Sequence, residues 1–235
     1  MTEQATVEPL PESPLSLQAR DLGLHDSGRW VWRHLSLTVD PGERVALRGP
    51  SGSGKTALLL TLAGLIPATE GSVRLGGRPM AQWWMPDYRS RVGYLAQRPA
   101  LDETDSVDAL VSAPFLYRVR SRQAYPREKV EAWLHVLGRD PGFLARRPET
   151  LSGGEQQVAA LLRLLATNPR VLLLDEPTAA MDADLAGAVQ NLLARWQALD
   201  SDKSWLWVSH SAGQVSAVAD RVVELPSPIP LTWPL

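Results

Sequence analysis

The chain has 235 residues, about one and a half times a typical domain, which predicts one large α/β domain, with or without an inserted subdomain, and excludes a multidomain assembly. Hydrophobic residues make up 44% and charged residues 21%, so a core can be buried and the composition argues against wholesale disorder. A net charge of −2, from 24 Lys plus Arg against 26 Asp plus Glu, leaves no electrostatic footprint for nucleic acid or anionic lipid, and the lack of cysteine excludes disulfides, thiolate metal sites and cysteine nucleophiles.

From the start of the chain, residues 1–14 carry three Glu and three Pro without a basic or apolar leader pattern, and read as a disordered lead-in. Short β-branched and aromatic runs then predict strands over 16–22, 32–39, 44–48, 72–75, 91–95, 171–175, 204–209 and 221–225. Leucines and alanines at three- and four-residue spacings predict helices over 55–65, 127–137, 154–166 and 183–198. Interleaved strands and helices imply a mainly parallel sheet covered on both faces, preceded by antiparallel strands from 16 to 39. The Pro-broken stretch 99–148 lacks a strand pattern and predicts a helical insertion, and residues 226–235, with four prolines, read as a Pro-rich tail. The longest apolar stretch, 57–68, falls short of the roughly 20 residues needed to span a bilayer, so the chain is not expected to be integral to a membrane.

Gly49, Pro50, Ser51, Gly52, Ser53, Gly54, Lys55 and Thr56 fit the spacing G-x-x-x-x-G-K-[ST], between an apolar strand and a helical run. The glycines let backbone N–H groups converge on phosphate oxygens and the helix start adds its positive dipole end. In such a loop Lys55 reaches the β- and γ-phosphates of ATP, and the Thr56 hydroxyl ligands Mg²⁺. Lys55 is one of only three lysines in a chain that otherwise uses arginine, which makes an incidental lysine there less credible.

Residues 171–176 form an apolar strand ending in Asp175 and Glu176, at the carboxyl edge of the sheet where α/β ligand sites form. Successive strand residues point to opposite faces, so the two acids have different duties. Asp175 is the expected Mg²⁺ partner, and Glu176 the group that orients and polarises the attacking water. Another apolar strand, 206–209, ends in His210.

Leu151, Ser152, Gly153, Gly154 and Glu155 precede the acid strand and open a helix. Joined in order with the phosphate loop, Gln97, Asp175-Glu176, Asp182 and His210, this segment resembles the nucleotide-binding subunit of ABC transporters over residues 16–225. The resemblance implies a P-loop NTPase with a RecA-like core, an antiparallel β subdomain and an inserted helical subdomain of about 99–163, all within an ATPase domain of 15–225. It implies Gln97 as the Q-loop residue, both catalytic and a Mg²⁺ ligand beside Thr56 and Asp175, and Glu176 and His210 as the other catalytic residues. Ser152, Gly153, Gly154 and Glu155 become the signature that meets ATP, and Asp182 the D-loop acid. Because in this family the signature lies far from its own phosphate loop, ATP is expected between two head-to-tail copies, a homodimer.

The partners implied are a transmembrane permease subunit and no nucleic acid, with the chain cytoplasmic and peripheral on the inner face of the cell membrane. Leu101, Phe115 and Tyr117 are the candidate permease contacts. The approach to Gln97 most resembles iron-export type ATP-binding subunits. Several positions depart from the family pattern: the adenine-stacking aromatic is open between His25 and Trp30, Val158 replaces a usual Arg, and Ala179-Ala180-Met181 replaces Ser-Ala-Leu. The competing classes are a non-transport ABC-type ATPase acting on nucleic acid or ribosome, whose coiled coil, tandem domains or basic surface is not seen, and a P-loop small-molecule kinase, which lacks the signature.

Overall fold

The protein is described by a computed structural model over residues 14–101, 105–117, 120, 123–209 and 212–226. The expected lead-in and tail therefore fall almost entirely outside the described residues, and His210 falls outside them too.

In chain order, the strands β1 (Leu17–Asp26) and β2 (Arg29–Val39) lead to β3 (Arg44–Arg48), α1 (Lys55–Leu62), β4 (Glu70–Leu75), the two-residue β5 (Arg78–Pro79), α2 (Met85–Arg91) and β6 (Val92–Leu95). The helices α3 (Val107–Ser112), α4 (Arg127–Val136) and α5 (Gly153–Ala166) follow, with short 3₁₀ turns between them. Then come β7 (Val171–Asp175), α6 (Ala183–Ala198), β8 (Ser204–Val208), α7 (Ala212–Val218) and β9 (Arg221–Glu224). One sheet is antiparallel, ordered β2-β1-β4-β5, and the other is ordered β6-β7-β8-β3-β9 with every pair parallel.

Composition explains the order of the parallel sheet. The runs VLLLD of β7 and SWLWV of β8 are buried along their whole length and take central places, as near-continuous apolar strands do. The more exposed β9 takes an edge. Side-chain alternation then divides the core in two. Leu172 and Leu174 of β7, in register with Trp205 and Trp207 of β8, pack with α5, α6 and the helices between β6 and β7. Leu173, Leu206 and Val208 point the other way, toward Leu58, Leu59 and Leu62 of α1 and toward the antiparallel sheet. α1 is apolar on nearly every side (KTALLLTL), as a helix pressed between two layers must be.

Two local details differ from the expectation. The first helix stops at Leu62, not residue 65, because Gly64 adopts φ 67° and the N–H groups of Gly64 and Leu65 bond back to the carbonyls of Thr61 and Leu60, a glycine-terminated helix end. The first strand runs on to Asp26, where Ser27 and Gly28, with φ 48° and 82°, make the left-handed two-residue turn that suits a twisted hairpin. Every element described between β6 and β7 is helical.

Leu173→Ala, which empties space between β7 and α1, is expected to cost about 2–5 kcal/mol. Val222→Ala on the exposed edge strand is expected to stay within about 0.5 kcal/mol. Urea unfolding of the two variants checks the layer assignment.

Candidate nucleotide site

The loop between β3 and α1 owes its path to glycine. Gly54 caps α1 in the left-handed region at φ 85°, and a Cβ there would lie 2.5 Å from Val31 Cγ1. At Gly49 (φ 150°) a Cβ would come within 2.9 Å of both the Leu225 carbonyl oxygen and Ser53 Oγ. Trp32 of β2, almost fully buried, donates its indole N–H to the Gly54 carbonyl at 3.4 Å and so ties the antiparallel sheet to the loop. Lys55 is buried, and its Nζ donates to the carbonyl oxygens of Gly49 and Pro50, each at 2.9 Å. No carboxylate pairs with it among the described residues. Ser53 Oγ is buried without a hydrogen-bond partner. A loop with an ammonium resting only on carbonyls and an orphaned hydroxyl fits an incoming phosphate chain.

Asp175 and Glu176 diverge as strand geometry requires. Asp175 is 3% exposed and lies on the α1 face with Leu173. Its carboxyl is pushed above the usual range, first by burial and also by the charge of Glu176, against hydrogen bonds from Thr56 and Tyr94 and the charge of Lys55. A divalent cation would reverse that balance, and a hydroxyl beside one buried carboxylate suits Mg²⁺, which is usually held by one or two carboxylates together with substrate phosphates. No group of three or more His, Cys, Asp or Glu that could hold a metal ion occurs among the described residues. Glu176 turns out of the strand at φ 46°, a left-handed conformation rare for Glu and typical of strain at functional sites. Its backbone N–H reaches the Val208 carbonyl at 3.2 Å, and Gln97 Nε2 donates to its Oε2 at 3.0 Å.

Ser152 caps α5. Its hydroxyl accepts from the Glu155 N–H at 3.4 Å while the Ser152 N–H donates to Glu155 Oε2 at 2.9 Å, a complete capping box. Glu155 is thus turned into its own helix start, and Arg146 takes both of its oxygens, at 2.6 and 3.2 Å. Arg146 first, and the Ser152 N–H next, hold the Glu155 carboxyl down at about 2. A Cβ on Gly154 would sit 3.0 Å from the Ala180 carbonyl oxygen, so the loop before α6 packs on this turn. Asp182 caps α6 by accepting from the Leu185 N–H at 2.8 Å.

The structure therefore gathers Gly49 to Thr56, Asp175, Glu176 and Gln97 at one place, and Ser152 to Glu155 with the loop leading to Asp182 at another. No hydrogen bond or ion pair joins Ser152–Glu155 to the phosphate loop among the described residues. The helices that carry them belong to the two different core layers. His25 and Trp30 meet edge to face at 5.1 Å, and Arg33 lies over the Trp30 ring at 4.5 Å.

Three residues escaped the sequence reading. Tyr94 O–H donates to Asp175 Oδ2 at 3.4 Å, and burial, with Asp175, pushes its phenol up to about 12. The buried Gln157 of α5 donates to the Ala96 carbonyl at 3.0 Å, next to Gln97. Arg146 is the third. Only the β6–β7 pairing reveals Tyr94, and only the turn after α4 brings Arg146 to the helix start.

Residues 32–179 match the family described as ABC transporter. The chain belongs to that family. It is 38% identical over 196 residues to the Fe(3+) ions import ATP-binding protein FbpC 2 of Rhodococcus jostii, covering 83% of this chain and 55% of that one. It is 36% identical over 196 residues to the putative 2-aminoethylphosphonate import ATP-binding protein PhnT of Salmonella choleraesuis, covering 83% and 52%. The chain spans about half the length of these curated relatives. Among solved structures, the dimeric bacterial ABC transporter cassette MJ0796 superposes with a TM-score of 0.78 at 25% identity, over 89% of this chain and 94% of that one. A bacterial Atm1-family ABC exporter with ATP bound gives the same score at 24% identity over 95% of this chain and 39% of that one, a likeness of fold alone. The fold is thus the expected P-loop NTPase of an ABC ATP-binding subunit. The expected likeness to iron export is corrected, since both relatives are named for import.

Lys55→Ala removes the one ammonium of the loop and is expected to weaken ATP binding at least about tenfold, read by titration with a fluorescent ATP analogue. The Glu155 carboxyl supplies a second check. With its folded value depressed from the ordinary 4.5 to about 2, its contribution to stability is complete above about pH 5 and is lost as pH falls toward 2. In urea unfolding, the stability gap between the wild type and Glu155→Gln is expected to hold above pH 5 and to close toward pH 2.

Proposed function

We propose that the chain hydrolyses ATP between two head-to-tail copies to power import through a separate permease subunit. The observation that carries this is the convergence of Thr56, Asp175, Glu176 and Gln97 beside the phosphate loop, while the signature turn lies on the other layer of the same chain.

The residues divide the work by position. Lys55 exchanges the Gly49 and Pro50 carbonyls for the β- and γ-phosphates, and loop N–H groups take the remaining phosphate oxygens. Thr56 and Asp175 would hold Mg²⁺, which when bound would offset the negative charge of the phosphates. Glu176 accepts the proton of the water that attacks the γ-phosphorus, leaving ADP and phosphate, and Gln97 holds that carboxylate in place beforehand. His210 completes this group by the family resemblance. Gly153 and Gly154 of the second copy close the site through their N–H groups at the helix start, which Ser152 caps. Asp182 secures the loop that packs on the signature turn.

The permease reading rests on a groove. Leu95, Leu101, Pro114, Ala160 and Leu164 line a cavity of about 290 Å³. An adjoining cavity of about 690 Å³ carries Trp84 and Tyr117, which are 57% and 62% exposed. Exposed aromatics beside an apolar cleft suit a short helix of a membrane partner, which would hold the chain peripherally at the cytoplasmic face. Phe115 instead packs on Tyr125 at 5.6 Å and against the helical core, so the contact falls to Leu101 and Tyr117. No described helix is long and apolar enough to cross a membrane. Import is favoured over export because the relatives at 36–38% identity are named for import.

Glu176→Gln is expected to keep ATP binding while hydrolysis falls at least about a hundredfold. With ATP bound, the variant is expected to elute as a dimer in size-exclusion chromatography. Monomers with ATP together with a near wild-type rate would remove both the role of Glu176 and the two-copy site.

A further inference from the structure

The charge on the signature turn needs an explanation that its capping role does not supply. The Ser152 N–H requires only an acceptor at the third helical position, and a glutamine would serve the box as well as Glu155. Glu155 instead places a carboxylate, ionised down to about pH 2, one residue from the Gly153-Gly154 pair. In the isolated chain that charge is favourable at a helix start. When a phosphate approaches the same N–H groups, two anions compete for one helix end.

The structure contains a counterweight. Arg146, placed by the 3₁₀ turn Pro141–Ala145, gives Nη1 to Glu155 Oε1 and Nη2 to Oε2, and Nη2 also reaches the Thr150 carbonyl at 3.2 Å. Arg139 Nη1 stands 4.0 Å from Glu155 Oε1 as a second, weaker cation. The Glu155 side chain is partly covered by Arg146, and the hydrogen bonds from Arg146 are the first influence holding its carboxyl ionised. Val107 N–H bonds the Arg146 carbonyl at 2.8 Å, which fixes the backbone of this residue against α3.

We propose that Arg146 is a positioning residue of the ATP half-site: its two-pronged grip on Glu155 fixes the Ser152 cap and cancels the carboxylate charge that would otherwise oppose the phosphate approaching Gly153 and Gly154. The inference rests on the reading that this turn meets ATP held by a second copy. It assigns the Arg146–Glu155 pair a task in turnover beyond holding α5.

The test is a double-substitution cycle on the full chain, with ATP hydrolysis measured against ATP concentration and melting followed by circular dichroism. Arg146→Met keeps an apolar stem near the Phe143 ring, 5.8 Å from the guanidinium, and removes the charge. It is expected to raise the ATP concentration for half-maximal turnover at least about tenfold in the wild-type chain, within the roughly 2- to 150-fold range of coupled neighbours, but less than about threefold in a chain carrying Glu155→Gln. A loss of similar size in both backgrounds shows that Arg146 does not act through the Glu155 charge and overturns the proposal, as does no loss in either. If Arg146→Met melts below the assay temperature, Arg146→Gln, which also removes the charge, replaces it in both backgrounds, and the same outcomes support or overturn the proposal. Gly154→Asp is measured alongside. Full turnover in that variant removes the two-copy reading and the inference with it, whereas its inactivity beside a wild-type Arg146→Met removes the inference alone.

Discussion

Side-chain alternation along β7 is the constraint on which the rest depends. Five consecutive buried residues cannot all face one way, so Leu172 and Leu174 build one core layer while Leu173 and Asp175 serve the other. The same alternation that fills both layers delivers Asp175 to Thr56 at the start of α1. Glu176, one residue on, has no place in either layer and turns away into the left-handed region. The helical layer, meanwhile, carries α5 and its glycine turn. One strand thereby puts the phosphate loop and the Ser152–Glu155 turn on different sides of its sheet, which is why the proposed function brings them together through a second copy.

Burial sets the electrostatics of that arrangement. Asp175 is desolvated and stands next to another carboxylate, which opposes its ionisation. Thr56, Tyr94 and Lys55 recover only part of the loss. A carboxylate so placed gains most from a cation that arrives with its own counter-charge on the phosphates. At the signature turn the solution is the opposite, since Glu155 is satisfied within the chain by Arg146 and the Ser152 N–H before any ligand comes. The first carboxylate is left in need of charge, and the second is already neutralised.

Much of this was legible in the sequence because the signals were local. The runs that became β3, β7 and β8 are apolar and bounded by turns, and the phosphate loop follows its strand directly. The eight predicted strands all appear, with shifted ends where glycine and Ser27 turned the chain. α2 was missed because Trp84-Met85-Pro86 has no helical period and Pro86 marks a helix start only once the helix is known. α7 and the two-residue β5 were too short to carry a pattern. At the site, the S-x-x-E spacing of Ser152 and Glu155 is itself a capping signature, yet the family pattern directed Glu155 toward the nucleotide. Tyr94 and Arg146 depend on strand order and on a turn nine residues away, and neither is written in a local pattern.

The polar groups of the phosphate site are mostly engaged with one another before ATP binds. Lys55 rests on two carbonyls, Gln97 on Glu176, and Thr56 and Tyr94 on Asp175. Binding therefore exchanges hydrogen bonds more than it creates them, and the net gain from each exchange is modest. Ser53 Oγ is the exception, a buried hydroxyl with nothing to exchange. In the proposed two-copy site the larger gain would come from the N–H groups at the helix start behind Ser152, which lack intrahelical acceptors, when they reach the γ-phosphate. On the proposed two-copy reading, a site built this way would hold ATP in one copy and commit it only when a second copy closes, and the free energy of that closure would then be available to move a partner docked in the groove beside Leu101 and Tyr117.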